Sequence, residues 1–412
     1  MTTIRLVTPN LVGESPNLTV SQQPFIRDRF TWLAYFMLAY FAYVQAALGP
    51  LVPFLRDELH FNYTVSAFYV SAFALGMAIA GLSGSRLARR LGRPLLFWGG
   101  GAGMALGAIL LTVGRTPQFT IASVLFMALI GSYMLVMIQS TLSDRHGENR
   151  AYALTEVNVF AVIGASAAPL LVAFGEDQHL TWRLAPLVGV VVWIGLALWA
   201  RGRISLPAGR EDATQNTTQS GRSGRLPRVF WAYWLVVFFS VAVEWCMIFW
   251  ASTYMEKVAG LSKELAATSV ALFTIAQVIG RASGSRLTRR YRPANLLLFA
   301  GAIIIVGFPL FWLGRTPFIN ALGLFLCGLG VANLYPLTLT LASAVGITNP
   351  DAASGYTSMS SGLAILIVPQ VLGIVADQTS IQTAYGIVAP LALAIIGVTL
   401  YANRQAARYI QP

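Results

Sequence analysis

The sequence predicts an all-α membrane protein whose twelve membrane-crossing helices form two parallel six-helix repeats. Three observations carry that expectation. Of 412 residues, 56% are hydrophobic and 11% charged, against roughly a quarter charged in soluble domains. Twelve apolar runs follow one another with only short breaks. Sequence motifs of the first half recur in the second at a fixed offset of 200 residues.

The first observation sets the solvent. With a mean hydropathy of +0.65, the chain has too few polar side chains to cover soluble domains of this length. The 28 Lys and Arg against 16 Asp and Glu leave a formal charge of +12. In a soluble protein that excess would suggest nucleic acid. Here the basic residues sit in short clusters between apolar runs and build no basic groove interleaved with stacking aromatics, which excludes that reading. Cys246 and Cys327 both fall inside apolar runs, where a thiol behaves as a small hydrophobe.

A hydrocarbon core about 30 Å thick needs roughly 20 apolar residues in a helix. Such runs fall near 31–55, 65–84, 94–113, 119–142, 151–174, 183–200, 229–254, 265–284, 294–313, 318–345, 353–375 and 382–402. Turn chemistry or charge separates them, as in Arg56-Asp57-Glu58, Gly114-Arg115-Thr116-Pro117 and Gly175-Glu176-Asp177. Five divisions are expected: a tail over 1–28, a six-helix half over 29–200, a linker over 201–228, a second half over 229–403 and a tail over 404–412. The linker is rich in Gly, Ser, Thr, Gln and Arg and has no apolar periodicity. The opening residues lack the charged start, apolar middle and cleavage site of a secretory signal.

Counting Lys and Arg on alternate sides gives 21 on the side of both termini and the linker, and six on the other. Positive charge accumulates on the cytoplasmic side of membrane proteins. Both termini are therefore expected in the cytoplasm of a multi-pass protein of the plasma membrane, the inner membrane if the source is bacterial.

The repeat is explicit. Gly84-Ser85-Arg86-Leu87-Ala88-Arg89-Arg90 returns as Gly284-Ser285-Arg286-Leu287-Thr288-Arg289-Arg290, and Gly114-Arg115-Thr116-Pro117 as Gly314-Arg315-Thr316-Pro317. Pro169 and Pro369 share the offset. Two units in the same orientation imply a pseudo-two-fold axis along the membrane normal, with a site between the halves.

With these features the chain resembles the major facilitator superfamily (MFS) of secondary transporters over essentially its whole length. Arg86-Leu87-Ala88-Arg89-Arg90-Leu91-Gly92-Arg93 is similar to that family's Gly-x-Leu-Ala-Asp-Arg-x-Gly-Arg signature. It departs at Arg89, where the family has Asp, and at Ser85, where it has the first Gly; the second copy carries Arg292 at the later glycine position. The resemblance implies the MFS fold, and a charge relay at the cytoplasmic face to which Arg90, Arg93 and Asp144 would contribute. Arginine clusters that merely anchor topology are the alternative reading.

Two carboxylates lie within apolar runs, where they are costly and face a polar cavity or a cation. Glu244 sits near the middle of the seventh segment, within Val241-Ala242-Val243-Glu244-Trp245-Cys246-Met247. It is the candidate proton carrier, or the counter-charge for a cationic substrate; a buried, permanently protonated structural Glu is the alternative. Glu156 lies one turn into the fifth segment and is expected to pair with Arg145, Arg150 or an arginine of the other half in a gating or structural role. Arg281, near the inner end of the eighth segment, is expected to reach the interface or hold Glu156 across the halves.

The resemblance also implies that segments 1, 4, 7 and 10 line a pore, and their polar residues become candidates for a substrate cavity. These are Tyr40, Tyr43 and Gln45; Tyr133 and Gln139; Trp245; and Asn333 and Tyr335. Gln277 in segment 8 and Ser358, Ser360 and Ser361 in segment 11 are expected to add hydrogen bonds. Trp250 and Tyr254 read more readily as interface anchors. The glycines from Gly99 to Gly107 read as close helix packing and not as a dinucleotide motif.

Lys occurs only at 257 and 263, outside any phosphate loop, and the three histidines lie in loops. No ATP, cofactor or metal is therefore expected. The expected function is secondary active transport of a small solute by alternating access, with proton coupling through Glu244, by a monomer. A facilitative uniporter or sodium-coupled carrier is the alternative within transport. An integral membrane enzyme or a transporter-like receptor is the alternative from another class.

Overall fold

The computed structural model describes residues 25–201, 226–288, 290–345 and 350–410. Most of the expected 1–28 tail and 201–228 linker lie outside them, as does Arg289. The described residues are helical, without strands: α1 (Arg29–Leu59), α2 (Tyr63–Leu91), α3 (Arg93–Val113), α4 (Pro117–His146), α5 (Arg150–Asp177), α6 (Leu184–Ala200), α7 (Arg228–Lys257), α8 (Lys263–Leu287), α9 (Pro293–Leu313), α10 (Pro317–Val331), α11 (Leu334–Val345), α12 (Pro350–Gln378), α13 (Ile381–Tyr385) and α14 (Val388–Ile410). Among the described residues, eleven spans are long and apolar enough to cross a membrane. The shorter α6 has 17 residues, about 25 Å at 1.5 Å per residue, which is near the lower limit for crossing.

Local chemistry starts the helices where the breaks were read. Asp28, Asn62, Thr116, Ser262 and Thr316 accept backbone amides of their first turns, and Pro94, Pro117, Pro293 and Pro317 occupy early positions that need no donor. Two expected segments are each split in two. Segment 318–345 breaks at Ala332-Asn333 and segment 382–402 at Gly386-Ile387. In both, a proline lies four residues beyond the start of the break (Pro336 and Pro390), so the carbonyl there has no amide donor for an i→i−4 bond. The expected 404–412 tail also differs. α14 continues to Ile410 because Ala402 and Ala406 pack with Phe230 and Tyr233 of α7.

The two halves repeat each other in space. α2 packs on α4, and α3 on α4, as α8 and α9 pack on α10. Thr116 and Thr316 cap Phe119 and Ile319 at the same 3.4 Å. The glycine stripe of α3 does what its spacing predicts, in the register Gly100, Gly103, Gly107. An added Cβ at these positions would lie 2.7, 2.2 and 2.5 Å from Met134, Ile130 and Met127 of α4. Large apolar side chains cover the perimeter, among them Leu82, Val191, Phe299, Val306 and Phe318. In a bilayer these face lipid and cost nothing.

Candidate functional site

Glu244 lies midway along α7. On the neighbouring α8, Gln277 and Arg281 are four residues apart and so project from one face. Gln277 Nε2 donates to Glu244 Oε1 at 2.7 Å, and Arg281 Nη2 stands 3.8 Å from the same oxygen. Gln277 is buried, whereas the Glu244 and Arg281 side chains keep 17% and 40% of their exposure. Tyr335 at the start of α11 lies within electrostatic reach of Glu244. Three sequence-predicted residues on two helices thus converge on one point, with a fourth, Tyr335, within electrostatic reach.

Asn333 supports this cluster from behind. Placed in the break between α10 and α11, it donates from Nδ2 to the Gly280 carbonyl at 2.7 Å, one residue before Arg281. Its side chain fills the notch at Gly284, where a Cβ would come within 2.1 Å of its Oδ1. Asn333 therefore positions α8.

Other candidates fall elsewhere. Tyr40 and Tyr43 are buried within the first half, their hydroxyls donating to the carbonyls of Gly101 (3.3 Å) and Ala185 (2.6 Å). Both hydroxyls are thus engaged by α3 and α6 inside the first half. Gln45 is half-buried with Nε2 at 3.5 Å from Met77 Sδ of α2. Trp245 is half-buried against the core, and Gln139 is exposed. Tyr133 pairs with Ser83 at 2.8 Å and lines a cavity of about 390 Å³ with Arg86, Arg89 and Arg90.

The residues expected to form one cytoplasmic gate are dispersed over separate contacts. Arg93 Nη1 meets Asp144 Oδ2 at 2.6 Å, joining α3 to α4 within one half, while Arg90 stays at the separate cavity. Glu156 is held by Arg27 through two hydrogen bonds of 2.8 and 2.6 Å and by Tyr35 at 2.7 Å. Arg145 instead pairs with Asp28, and Arg281 with Glu244. The pairing of Glu156 with Arg145 or Arg281 is therefore corrected: Arg27, just before α1, lies directly against the start of α5.

Sequence reading missed the polar contacts between the halves. At the face opposite the arginine clusters, Lys263 pairs with Asp57, Arg56 approaches Glu256 at 4.0 Å, and Asp377 caps the start of α2. Deeper, Ser71 donates to the Leu366 carbonyl at 3.1 Å, and Gln370 donates to the Thr64 carbonyl at 3.2 Å. Close backbone approach accompanies them: a Cβ at Gly49 of α1 would stand 2.5 Å from the Ile248 carbonyl of α7. The available signal was the opposite charges of Arg56-Asp57-Glu58, a break between segments, and of Glu256-Lys257.

Two repeated helical halves, with a charged cluster on α7 and α8 of the second, are the architecture of a secondary transporter. Residues 31–346 match the profile of the Major Facilitator Superfamily, and the chain belongs to that family. An MFS-type transporter of Yersinia pestis is 24% identical over 358 residues, covering 85% of this chain and 90% of the relative. The cyanate transport protein CynX of Escherichia coli K12 is 25% identical over 343 residues, covering 78% and 82%. The crystal structure of the nucleoside transporter NupG superposes with a TM-score of 0.70 at 16% identity, covering 90% of this chain and 97% of that one. That likeness is one of fold.

Proposed function

We propose that the protein moves a small solute across the plasma membrane by alternating access, coupled to protons through Glu244, with its arginine-rich face in the cytoplasm. The observation that carries this reading is Glu244 itself: a carboxylate at the middle of a spanning helix, partly exposed, with one amide and one guanidinium beside it. A fixed structural acid would be fully enclosed by donors; this one keeps an open side from which to exchange a proton.

The inter-half contacts named above lie toward the face opposite the arginines. Polar side chains at the other ends of the facing helices, such as Gln139, Asn158, Ser283 and Ser358, are exposed. This arrangement supports a state closed outward and open inward, in which Glu244 and Arg281 are reached from the cytoplasm. Solute uptake into proteoliposomes, with and without an imposed pH gradient, compares the parent with Glu244→Gln. Gradient-driven accumulation should vanish in the variant while counterflow exchange persists. If accumulation persists, Glu244 is not the coupling group.

A further inference from the structure

The Arg281 guanidinium has five N–H donors in a planar fork. Among the described residues its one ion-pair partner is Glu244 Oε1, at 3.8 Å, beyond hydrogen-bond length. Glu244 already accepts a 2.7 Å bond from Gln277. The exposed member of the pair, with donors to spare, is therefore the cation. Asn333 fixes the α8 backbone beside it.

We propose that the transported solute is a small monovalent anion, held by the Arg281 fork when Glu244 takes up a proton and withdraws its charge. This rests on the reading of Glu244 as the coupling group. The charge count favours it. The empty site, with Glu244 ionised and Arg281 protonated, sums to zero. The site carrying one proton on Glu244 and one anion on Arg281 also sums to zero. Both forms can turn through the low-dielectric membrane without a net charge. A neutral solute with a proton, or a cation beside the intact pair, would leave the site at plus one. Among the described residues, the charged and titratable groups that act on Glu244 or are acted on by it are Arg281 from α8 and Tyr335 from α11, and neither adds a second negative charge to the count. The planar fork suits a carboxylate or a similar planar anion, which it can grip with two parallel bonds.

The test uses the full-length protein with formate, acetate, nitrate and cyanate as anions, glycerol and glucose as neutral solutes, and choline as a cation. Melting midpoints in detergent are read at acid and alkaline pH, and labelled uptake is read in proteoliposomes. At least one anion should stabilise the parent, more at acid pH. That stabilisation should become independent of pH in Glu244→Gln and disappear in Arg281→Gln. Arg281→Lys keeps the charge but loses the fork, and should raise the half-saturating concentration about tenfold; it also serves if Arg281→Gln does not fold. Stabilisation and pH-driven uptake of a neutral solute or choline, lost in Glu244→Gln but kept in Arg281→Lys, would overturn the anion proposal and leave the coupling reading standing. Anion uptake that needs Arg281 but keeps its pH drive in Glu244→Gln would overturn the coupling reading instead. No response to any of the four anions overturns the proposal.

Discussion

The Asp377 carboxylate, near the end of α12 in the second half, accepts the backbone amide of Thr64 at 2.7 Å, in the first turn of α2 in the first half. It also accepts the Tyr63 amide at 2.8 Å and the Thr64 hydroxyl at 2.5 Å. Asn62, the residue before α2, accepts Val65. One helix start is thus capped partly by its own half and partly by the other, and a negative charge meets the positive end of the helix dipole. Such a cap exists only while the halves are closed at this face.

Asp377→Asn should therefore loosen that closure. A neutral amide has one acceptor oxygen where the carboxylate uses two, and losing a cap interaction costs about 0.5–2 kcal/mol. A cysteine introduced at Ser71, at the half-to-half interface on the same side, should react several-fold faster with an impermeant thiol reagent added outside. The native Cys246 and Cys327 are fully buried and give little background. Equal labelling rates in variant and parent would show that the cap does not hold the face shut.

Gly49→Ala tests the same closure by sterics. The new Cβ would meet backbone of α7 at 2.5 and 3.0 Å, an overpacking of about 1–3 kcal/mol that exists only when the halves approach. Gly76→Ala is the control, since its Cβ would meet α4 inside one half, 2.7 Å from the Leu129 nitrogen. Labelling at Ser71→Cys should rise in the Gly49 variant, whereas the Gly76 variant should lose melting temperature without that bias.

Tyr43→Phe should lower stability by about 0.5–1.5 kcal/mol by removing a buried hydrogen bond to the Ala185 carbonyl. Solute affinity should stay within twofold, because the hydroxyl is engaged inside the first half. A large rise in KM at unchanged stability would return Tyr43 to the cavity.

At the start of α1, burial pushes the Asp28 carboxyl up, but hydrogen bonds from Thr31 and the charge of Arg145 outweigh it and hold the group below its ordinary 3.8. The folded state thus binds this proton less readily than the unfolded chain. The stabilisation is fully present above that ordinary value and is lost as pH falls through the lower folded one. Melting in detergent should show a decline below about pH 4 that is smaller in Asp28→Asn. An identical decline in both would assign it to other carboxylates.

The helices were legible in the sequence because bilayer thickness sets their length and lipid demands apolar side chains along it. The repeat was legible because Thr116 and Thr316 still cap their helices alike. Glu244, Gln277, Arg281 and Tyr335 were legible as costly polar groups in apolar runs. Their grouping was not, because it depends on how α7, α8 and α11 are rotated against one another. The two split helices carried a signal in Pro336 and Pro390, four residues beyond the start of each break.

By itself, the sequence determined the solvent, the two-fold repeat and the short inventory of intramembrane charge, and it marked twelve apolar runs of which eleven have spanning length. These follow from composition and local period. Only the tertiary structure decided that Arg281 faces Glu244 while Arg27 takes Glu156, that Tyr40 and Tyr43 serve the core, and that Asp377 closes the face opposite the arginines. Polar pairing across some hundred to three hundred residues of chain is a matter of which helix faces meet, and helix packing chooses that through side-chain volume and glycine notches, which leave no mark in the spacing of the polar residues themselves.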